Sequence, residues 1–307
     1  MIRVTLVSNA IQLEAARRLR RRALARRSDA TARGDARPEP RFELLVHEPG
    51  RMRLTAEDRR LWPLRGRVSP ALMAVLTLPA LLGLVSELRL SHLCRVGRAL
   101  RLLARHARGL CLLDDGLDQY RSSPRAVQPE VFPQGTPCWL FSDAPAFRAD
   151  WCRRFRCREL GPLYEPPAGH ASRRETTDGP AAARAGLPTL GPGVGTLIID
   201  SPGVERLQSH AMELPRPWSL VPHPVAAKRS WRLPLSPGER LLRLPPEQLL
   251  PDWTGVVLVG ESLMLLAALR LRPAGSPLWI ALPPSVDANL ERLARSLAAA
   301  DPSVRLL

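Results

Sequence analysis

Short apolar runs of strand length alternate with segments of helical pattern along most of this chain of 307 residues. The chain opens with the β-branched run Ile2–Val7 and continues with Ala10–Arg27, whose early apolar residues give way to a basic outer face. A second apolar run, Phe42–His47, ends at a Pro-Gly stop. Apolar strands separated by helices are typical of parallel sheets that helices cover on both faces. The alternation therefore predicts an α/β fold.

The rest of the first half predicts further elements of this kind. Val68–Val85 is nearly free of charge but contains prolines and a glycine, so we expect a buried helix or helix pair and not a membrane span. Leu90–Ala107 has leucines at helical spacing among arginines and predicts a helix. It leads into the short buried strand Leu110–Leu113, and Cys138–Phe141 is another strand candidate.

A change of composition divides the chain in two. Residues 161–194 are dense in Pro, Gly and Ala, as expected of an interdomain linker. This predicts an N-terminal domain of residues 1–160 and a C-terminal domain of residues 195–307, in line with the usual domain size of about 150 residues. In the second domain the alternation resumes, with strands and helices predicted at Gly195–Asp200, Trp218–Val221, Gly255–Val259, Ser262–Arg270, Leu278–Leu282 and Val286–Ala300.

The charge of the chain favours an anionic partner. The net charge is +16, and Lys228 is the single lysine among 45 basic residues. Nucleotide phosphate, nucleic acid and an anionic membrane surface all remain open, as does a merely solvated basic surface. Peripheral contact with the inner membrane face is one option, because Arg59, Arg60, Arg65 and Arg67 precede Val68–Val85 and could meet anionic headgroups.

Cysteine usage and the N-terminus point to an intracellular chain. The five cysteines are scattered without a CxxC pair, so we expect neither a disulfide scaffold nor a zinc site. The N-terminus places its apolar residues before its positive charges, the reverse of a secretory signal. A cytoplasmic protein is therefore expected.

An acidic pair follows the predicted strand Leu110–Leu113. Ligands of open parallel sheets bind beyond the carboxyl ends of the strands, where Asp114, Asp115 and Gly116 lie. A carboxylate there could take a proton from a hydroxyl, and the glycine lets the backbone turn closely under a substrate. A helix N-cap followed by a turn glycine would produce the same three residues.

Two further polar groups follow strands in the second half. His223 and Pro224 come after the run WSLVP, with Lys228 close behind, and an imidazole beside cations can stabilise a departing phosphate. Gly260 and Ser262 lie between a strand and a helix, where free N–H groups and a hydroxyl can bind an anion. A loop histidine without function and a plain N-cap serine are the alternatives.

The order of these groups resembles the bacterial sialyltransferases and polysialyltransferases, including lipooligosaccharide sialyltransferases. Those enzymes carry a D/E-D/E-G motif, an HP motif and a Ser-Ser/Thr motif. The opening VTLVSNAIQLEAA is similar to their first strand and loop, and CWLFS to the segment that closes their first domain. The resemblance spans most of the chain. One departure is Glu261-Ser262 at the Ser-Ser/Thr position, since a carboxylate beside a phosphate is unfavourable unless it points away or pairs with arginine.

The resemblance implies a GT-B architecture, with two Rossmann-like domains whose parallel sheets face a central cleft. It implies inverting transfer of sialic acid or a related sugar from a CMP-sugar to a glycan or lipid-linked glycan, with neither cofactor nor required metal. Asp114 or Asp115 would be the general base, and His223 would contact the CMP phosphate as acid or stabiliser. The donor side would comprise His223, Pro224, Lys228, Gly260 and Ser262, and the acceptor side Asn9, Gln12 and Gly116.

Two alternatives remain at this point. A basic nucleic-acid-binding protein, or a diverged non-catalytic GT-B protein, would suit a sequence pI near 11.3, although the basic residues are dispersed and no RNP-like or zinc-finger motif is present. A GT-B enzyme could also use CMP-Kdo or a UDP-sugar. Adjacent carboxylates such as Asp114 and Asp115 are less suited to share Mg²⁺ than alternating ones.

Overall fold

The computed structural model describes residues 1–32, 42–48, 54–91, 98–114, 116, 131–142, 148–164, 193–206, 213–223, 231–244, 246–262 and 264–307. Its contacts divide the chain into two compact units, Met1–Leu163 and Tyr164–Leu307. Most of the predicted linker lies outside the described residues, as do three predicted site residues, Asp115, Pro224 and Lys228.

The first unit contains a seven-stranded sheet in its described residues, with the strand order β3-β2-β1-β4-β5-β6-β7 and every neighbouring pair parallel. Its strands are β1 (Ile2–Val7), β2 (Phe42–His47), β3 (Leu64–Arg67), β4 (Val85–Leu90), β5 (Leu110–Leu113), β6 (Pro137–Leu140) and β7 (Arg156–Glu159). Its helices are α1 (Ala10–Ala32), α2 (Ala56–Leu61), α3 (Pro70–Leu81), α4 (Arg98–His106) and α5 (Ala149–Arg154). The strand order reverses direction between β1 and β4, which makes this the topological switch point.

The second unit repeats the arrangement with six described strands in the order β10-β9-β8-β11-β12-β13, again all parallel. The strands are β8 (Thr196–Ile199), β9 (Trp218–Val221), β10 (Arg240–Leu241), β11 (Val256–Val259), β12 (Leu278–Ile280) and β13 (Val304–Leu306). The helices are α6 (Pro246–Leu249), α7 (Met264–Leu271) and α8 (Ala288–Ala300). The switch point lies between β8 and β11. The predicted α/β fold class, with two Rossmann-like domains that each contain a parallel sheet, is confirmed.

Each sheet is buried on both faces because successive side chains of a strand point to opposite sides. In β1, Val4 and Leu6 join a cluster with α3 and α4, whereas Val7 packs against α1. In β8, Leu197 and Ile198 likewise belong to different clusters. Burial on both faces explains why these strands are largely apolar.

The sequence prediction was wrong at β4. It assigned Leu90–Ala107 to one helix, whereas Leu90 ends a central strand and α4 begins at residue 98. Glu87 and Arg89 interrupt the apolar pattern by which a central strand is recognised. In the folded chain, Arg3 Nε donates to Glu87 Oε2 at 2.6 Å and Arg89 Nη2 donates to the same oxygen at 3.1 Å. Burial opposes ionisation of Glu87, but Arg89 and Arg3 outweigh it and hold its pKa below the ordinary value.

The prediction of a buried helix or helix pair in Val68–Val85 was only partly right. Ser69 caps α3, since its Oγ accepts from the Leu72 N–H at 3.1 Å, and the helix buries Met73, Leu76 and Ala80. Its opposite face is exposed and apolar, and Val85 already belongs to β4. Among the described residues, no helix has the length and apolar character needed to cross a membrane.

Candidate functional site

The predicted site residues that the structure describes all follow carboxyl ends of parallel strands. In the first unit Asn9 and Gln12 come after β1, and Asp114 and Gly116 after β5. In the second unit the residues are His223 after β9, and Gly260 and Ser262 after β11. Parallel strands end at one edge of their sheet, so each unit collects its candidate residues at the edge where doubly wound folds bind ligands.

The Asp114 carboxylate is buried and held by three groups. Oδ1 accepts from the Gly116 N–H at 2.7 Å, and Oδ2 accepts from the Phe141 N–H at 2.8 Å. Arg148 Nη2 lies 3.1 Å from the same Oδ2, and Arg148 also donates to the Phe141 carbonyl. The side chains of Asp114 and Arg148 are 1% and 3% exposed. Asp114 therefore joins the ends of β5 and β6, and both of its oxygens accept hydrogen bonds from within the first unit.

Gly116 has a backbone conformation that suits this turn. Its φ of +92° lies in the region that side chains rarely adopt, and its N–H closes the loop back onto Asp114. Asp115, between the two, lies outside the described residues. The ion pair between Asp114 and Arg148 could not be predicted from the sequence. Arg148 is one of many arginines, and it stands 34 positions after Asp114.

Asn9 and Gln12 build the turn between β1 and α1. The Asn9 Oδ1 accepts from the Gln12 N–H at 2.9 Å, which caps the first turn of the helix. The Gln12 Oε1 accepts from the N–H of Ser8 at 2.7 Å and from its hydroxyl at 3.1 Å. Gln12 is fully buried, whereas Asn9 is partly exposed at the switch point. Gln12 thus orders the turn, and Asn9 lies nearer to solvent.

The switch point of the second unit is formed by two loops in backbone contact. The Gly260 N–H donates to Ser201 Oγ at 2.8 Å, and the Glu261 N–H donates to the Pro202 carbonyl at 2.7 Å. A Cβ at Gly260 would overlap the Pro202 carbonyl oxygen, so only glycine permits this approach. The Gly260 N–H is bound to Ser201 and is not turned toward a ligand. Sequence reasoning missed Ser201, although it follows directly on a predicted strand.

Ser262 lies two residues before the first residue of helix α7, Met264. Its Oγ accepts from the Met264 N–H at 3.2 Å, and its own N–H donates to the Gly260 carbonyl at 2.8 Å. This hydrogen bond is the kind that an N-cap serine accepts. The Ser262 hydroxyl can still donate its own proton to another group, such as an anion. The side chain is partly exposed. A serine hydroxyl at the positive end of a helix suits an anion.

His223 lies two residues beyond β9 and is partly exposed. β8 separates β9 from β11, so the strand ends that carry His223 and Gly260 are about 10 Å apart at the usual strand spacing. Asp200, at the end of β8 between them, is buried and accepts from the Trp231 N–H at 3.0 Å. Trp231 packs edge-on against Trp218 with ring centroids 5.4 Å apart. These two contacts fix the position of Trp231, which is the first described residue after Pro224 and Lys228.

No known family model and no curated protein matches this sequence. The solved structures similar to this chain include two glycosyltransferases at 15% identity. Each alignment covers 99% of this chain and 86% of the solved chain. They are the glycosyltransferase SnogD from Streptomyces nogalater, with a TM-score of 0.46, and the glycotransferase of kitacinnamycin, with a TM-score of 0.45. Similarity at this level assigns the chain neither a donor nor an acceptor.

Among the described residues, no group of three or more His, Cys, Asp or Glu side chains is arranged to hold a metal ion. Asp115 lies outside those residues. Metal-independent action therefore remains a prediction from the sequence.

Proposed function

We propose that this protein is a glycosyltransferase that moves sialic acid, or a related CMP-activated sugar, from a CMP-sugar to a glycan acceptor. The observation that carries the proposal is the common position of the described candidate residues at carboxyl ends of parallel strands in two Rossmann-like units. Asn9 and Gly260 stand directly at the two switch points.

The second unit would hold the donor. A CMP phosphate at the start of α7 would meet the Ser262 hydroxyl and the positive end of the helix. His223, on the same edge about two strand spacings away, would donate a hydrogen bond or a proton to the phosphate as the sugar leaves. Lys228 would add positive charge there, which stabilises the growing negative charge of the leaving CMP.

The first unit would hold the acceptor, and its two adjacent aspartates would have different roles. Asp114 acts as a positioning residue, because its oxygens already accept from Gly116, Phe141 and Arg148. Asp115 is then the residue we assign as general base for the acceptor hydroxyl. Asn9 would contact the acceptor, whereas buried Gln12 would hold the turn that carries it.

An anionic membrane surface is the partner that we propose for the outer face of α3. Val75, Leu78 and Leu81 are 67%, 62% and 52% exposed and recur at helical spacing. Helix α4 packs against α3, and neither helix contains an acidic residue. Exposed arginines lie on α4, at the end of β3 and beside Gly83, namely Arg67, Arg101, Arg105 and Arg108. An apolar face flanked by arginines suits anionic headgroups, and a lipid-linked glycan would be presented at such a surface.

Calorimetric titration with CMP, UMP and GMP at moderate salt tests the donor assignment. The parent protein should prefer CMP, and His223→Ala should weaken CMP binding by about tenfold, as expected for the loss of one hydrogen bond to a charged group. The matched control is His106→Ala, an exposed histidine at the end of α4 in the first unit, which should bind CMP like the parent. CMP affinity unchanged in His223→Ala would remove that role.

The same titration separates the proposal from the nucleic-acid alternative. Binding to long polyanions alone, without nucleotide preference and with a steep loss on raising salt, would indicate a nucleic-acid-binding protein. Selective CMP binding with weak salt dependence would support the transferase and justify acceptor screening.

A further inference from the structure

Two basic side chains stand next to each other at the carboxyl edge of the first sheet. His47 is the last residue of β2, and in the strand register it pairs with Val7 of β1 on one side and with Arg67 of β3 on the other. Arg67 is likewise the last residue of its strand. Register partners in parallel strands point to the same face, and neighbouring strands lie about 4.8 Å apart. His47 and Arg67 are therefore neighbours on one face, at the edge that carries the candidate acceptor residues.

The imidazole of His47 has one nitrogen without a partner inside the protein. Its Nδ1 is buried, and none of the described residues forms a hydrogen bond with it. The residue as a whole is only partly buried, so the other nitrogen, Nε2, is the one that reaches solvent. A neutral imidazole has one N–H and one bare nitrogen, and an unpaired buried N–H is rarer in proteins than an unpaired acceptor. His47 therefore keeps its proton on Nε2 and presents an N–H donor at the edge of the sheet.

The guanidinium of Arg67 is also available to a ligand. Arg67 is exposed and takes part in none of the ion pairs formed by the described residues. The other arginine of β3, Arg65, donates instead to the Trp62 carbonyl. Glu48, the acid next to His47, interacts with another group. A positive charge and an N–H donor thus lie side by side, and an anionic group can bind to both.

We propose that His47 and Arg67 form a subsite for an anionic group of the glycan acceptor, either a carboxylate of an acidic sugar or a phosphate of a lipid-linked sugar. The inference rests on the proposed function, because that function assigns the first unit to the acceptor. A guanidinium binds carboxylate and phosphate oxygens through two parallel hydrogen bonds, and the His47 Nε2–H donates a further one to the same group. Arg67 also borders the face of α3 assigned to the membrane above, where a lipid-linked glycan would be presented.

The place of this subsite also sets a lower limit on the size of the acceptor. Strands β1 and β4 separate β2 from β5, so His47 lies about three strand spacings, or roughly 14 Å, from the end of β5 that carries the proposed general base. This distance exceeds the width of one sugar ring. The acceptor is therefore an oligosaccharide whose anionic group lies at least one sugar unit away from the hydroxyl that reacts.

NMR of the histidine side chains in the full-length protein tests the subsite. The chain contains six histidines, so labelling with nitrogen-15 histidine gives a simple proton–nitrogen spectrum that shows the tautomer of each ring. The signals that disappear in His47→Gln belong to His47. The probes are α-methyl sialoside and N-acetylglucosamine 1-phosphate, and the neutral controls are the methyl ester of the sialoside and N-acetylglucosamine.

We expect the Nε2–H tautomer for His47 and a saturable shift of its signals with at least one anionic probe. The neutral sugars should leave these signals in place, because they lack the negative charge. The probe that binds more tightly identifies the anionic group as a carboxylate or a phosphate. A Nδ1–H tautomer, an equal shift with the neutral sugars or the absence of a saturable shift would each overturn the proposal.

Two arginine variants on β3 show whether the binding is specific. Arg67→Ala should weaken binding of the anionic probe by at least about tenfold, as expected for the loss of a charge-assisted hydrogen bond. Arg65→Ala removes the same charge from the same strand and should bind the probe like the parent. Both side chains are exposed, and circular dichroism checks the fold of each variant. Parent-like binding in Arg67→Ala, or an equal loss in both variants, would contradict the subsite.

Failure of this subsite can be told apart from failure of the proposed function. CMP reports on the second unit through His223, whereas the anionic sugars report on the first unit through His47. A parent that binds CMP selectively but shows no shift of His47 would lose the anionic subsite alone. A saturable shift of His47 in a protein without preference for CMP would support the subsite and overturn the CMP-sugar donor.

Discussion

Among individual residues, Asp114 shows most clearly that a carboxylate at the end of a strand can hold the fold together. Its carboxylate closes the turn after β5 and pairs with buried Arg148, so it cannot also be a solvent-facing proton acceptor. A buried ion pair is costly to break, because removal of one partner leaves the other charged in a poorly hydrated place. Asp114 and Asp115 should therefore respond differently to the same substitution.

Asp114→Asn should lower the free energy of unfolding of the first unit by about 3–5 kcal/mol, since it would break a buried ion pair with Arg148. Urea denaturation measures this change. Asp115→Asn should leave stability and CMP affinity near parent values and reduce transfer to an acceptor by about 100-fold or more, as expected for loss of a general base. Full transfer activity in Asp115→Asn, or parent-like stability in Asp114→Asn, would contradict the division of roles.

Among the secondary-structure elements, α3 departs most from what its composition suggests. An apolar helix is expected to be buried, yet α3 covers the sheet with Met73, Leu76 and Ala80 and leaves an equally apolar face exposed. Apolar patches of this kind mark interaction surfaces. The absence of acidic residues from α3 and α4 is compatible with the anionic membrane surface proposed above.

The double substitution Val75→Ser and Leu78→Ser should weaken binding to phosphatidylglycerol-containing vesicles by at least about tenfold, because two apolar side chains would no longer enter the bilayer interface. Vesicle sedimentation measures the bound fraction. Leu241→Ser is the control, since this leucine is 53% exposed but lies on β10 in the second unit. Equal binding of parent and double variant, or parent binding that does not depend on anionic lipid, would exclude α3 as the membrane face.

In the molecule as a whole, two units of similar size each have their own parallel sheet and their own apolar clusters. A unit of about 150 residues with a core of its own is large enough to fold alone. The candidate donor residues His223, Gly260 and Ser262 all belong to the second unit. Binding of the CMP part of the donor should then need that unit only.

Residues 1–163 and 164–307, produced as separate chains, should each unfold cooperatively on heating when followed by circular dichroism. The second fragment should bind CMP within about tenfold of the full-length affinity, and the first should not bind it. CMP binding by the first fragment, or loss of CMP binding in a well-folded second fragment, would show that the first unit supplies donor contacts. His223→Ala in the second fragment serves as the control for specific binding.

The sequence pattern predicted those strands and helices whose residue preferences agree with their burial in the folded protein. The strands β1, β5, β9 and β11 and the beginning of α1 were found from apolar runs and their flanking residues, and the candidate residues were correctly expected at strand ends. The strand β4 was not predicted, because charged residues such as Glu87 are typical of an exposed helix surface. Only the folded structure shows that Arg3 neutralises the charge of Glu87. The exposed face of α3 was not found either, since composition does not say what a helix packs against.

The sequence by itself determined that this chain forms apolar strands and helices in alternation, and hence parallel sheets, because periodicity and composition act through neighbouring residues. Only the tertiary structure decided that Asp114 pairs with Arg148 and that Cys138 and Cys157 are partners on neighbouring strands. These contacts depend on strand order and register, which bring together residues that lie far apart in the chain. Which strands become neighbours in a sheet depends on how whole strands are buried, and the pattern of nearby residues does not determine it.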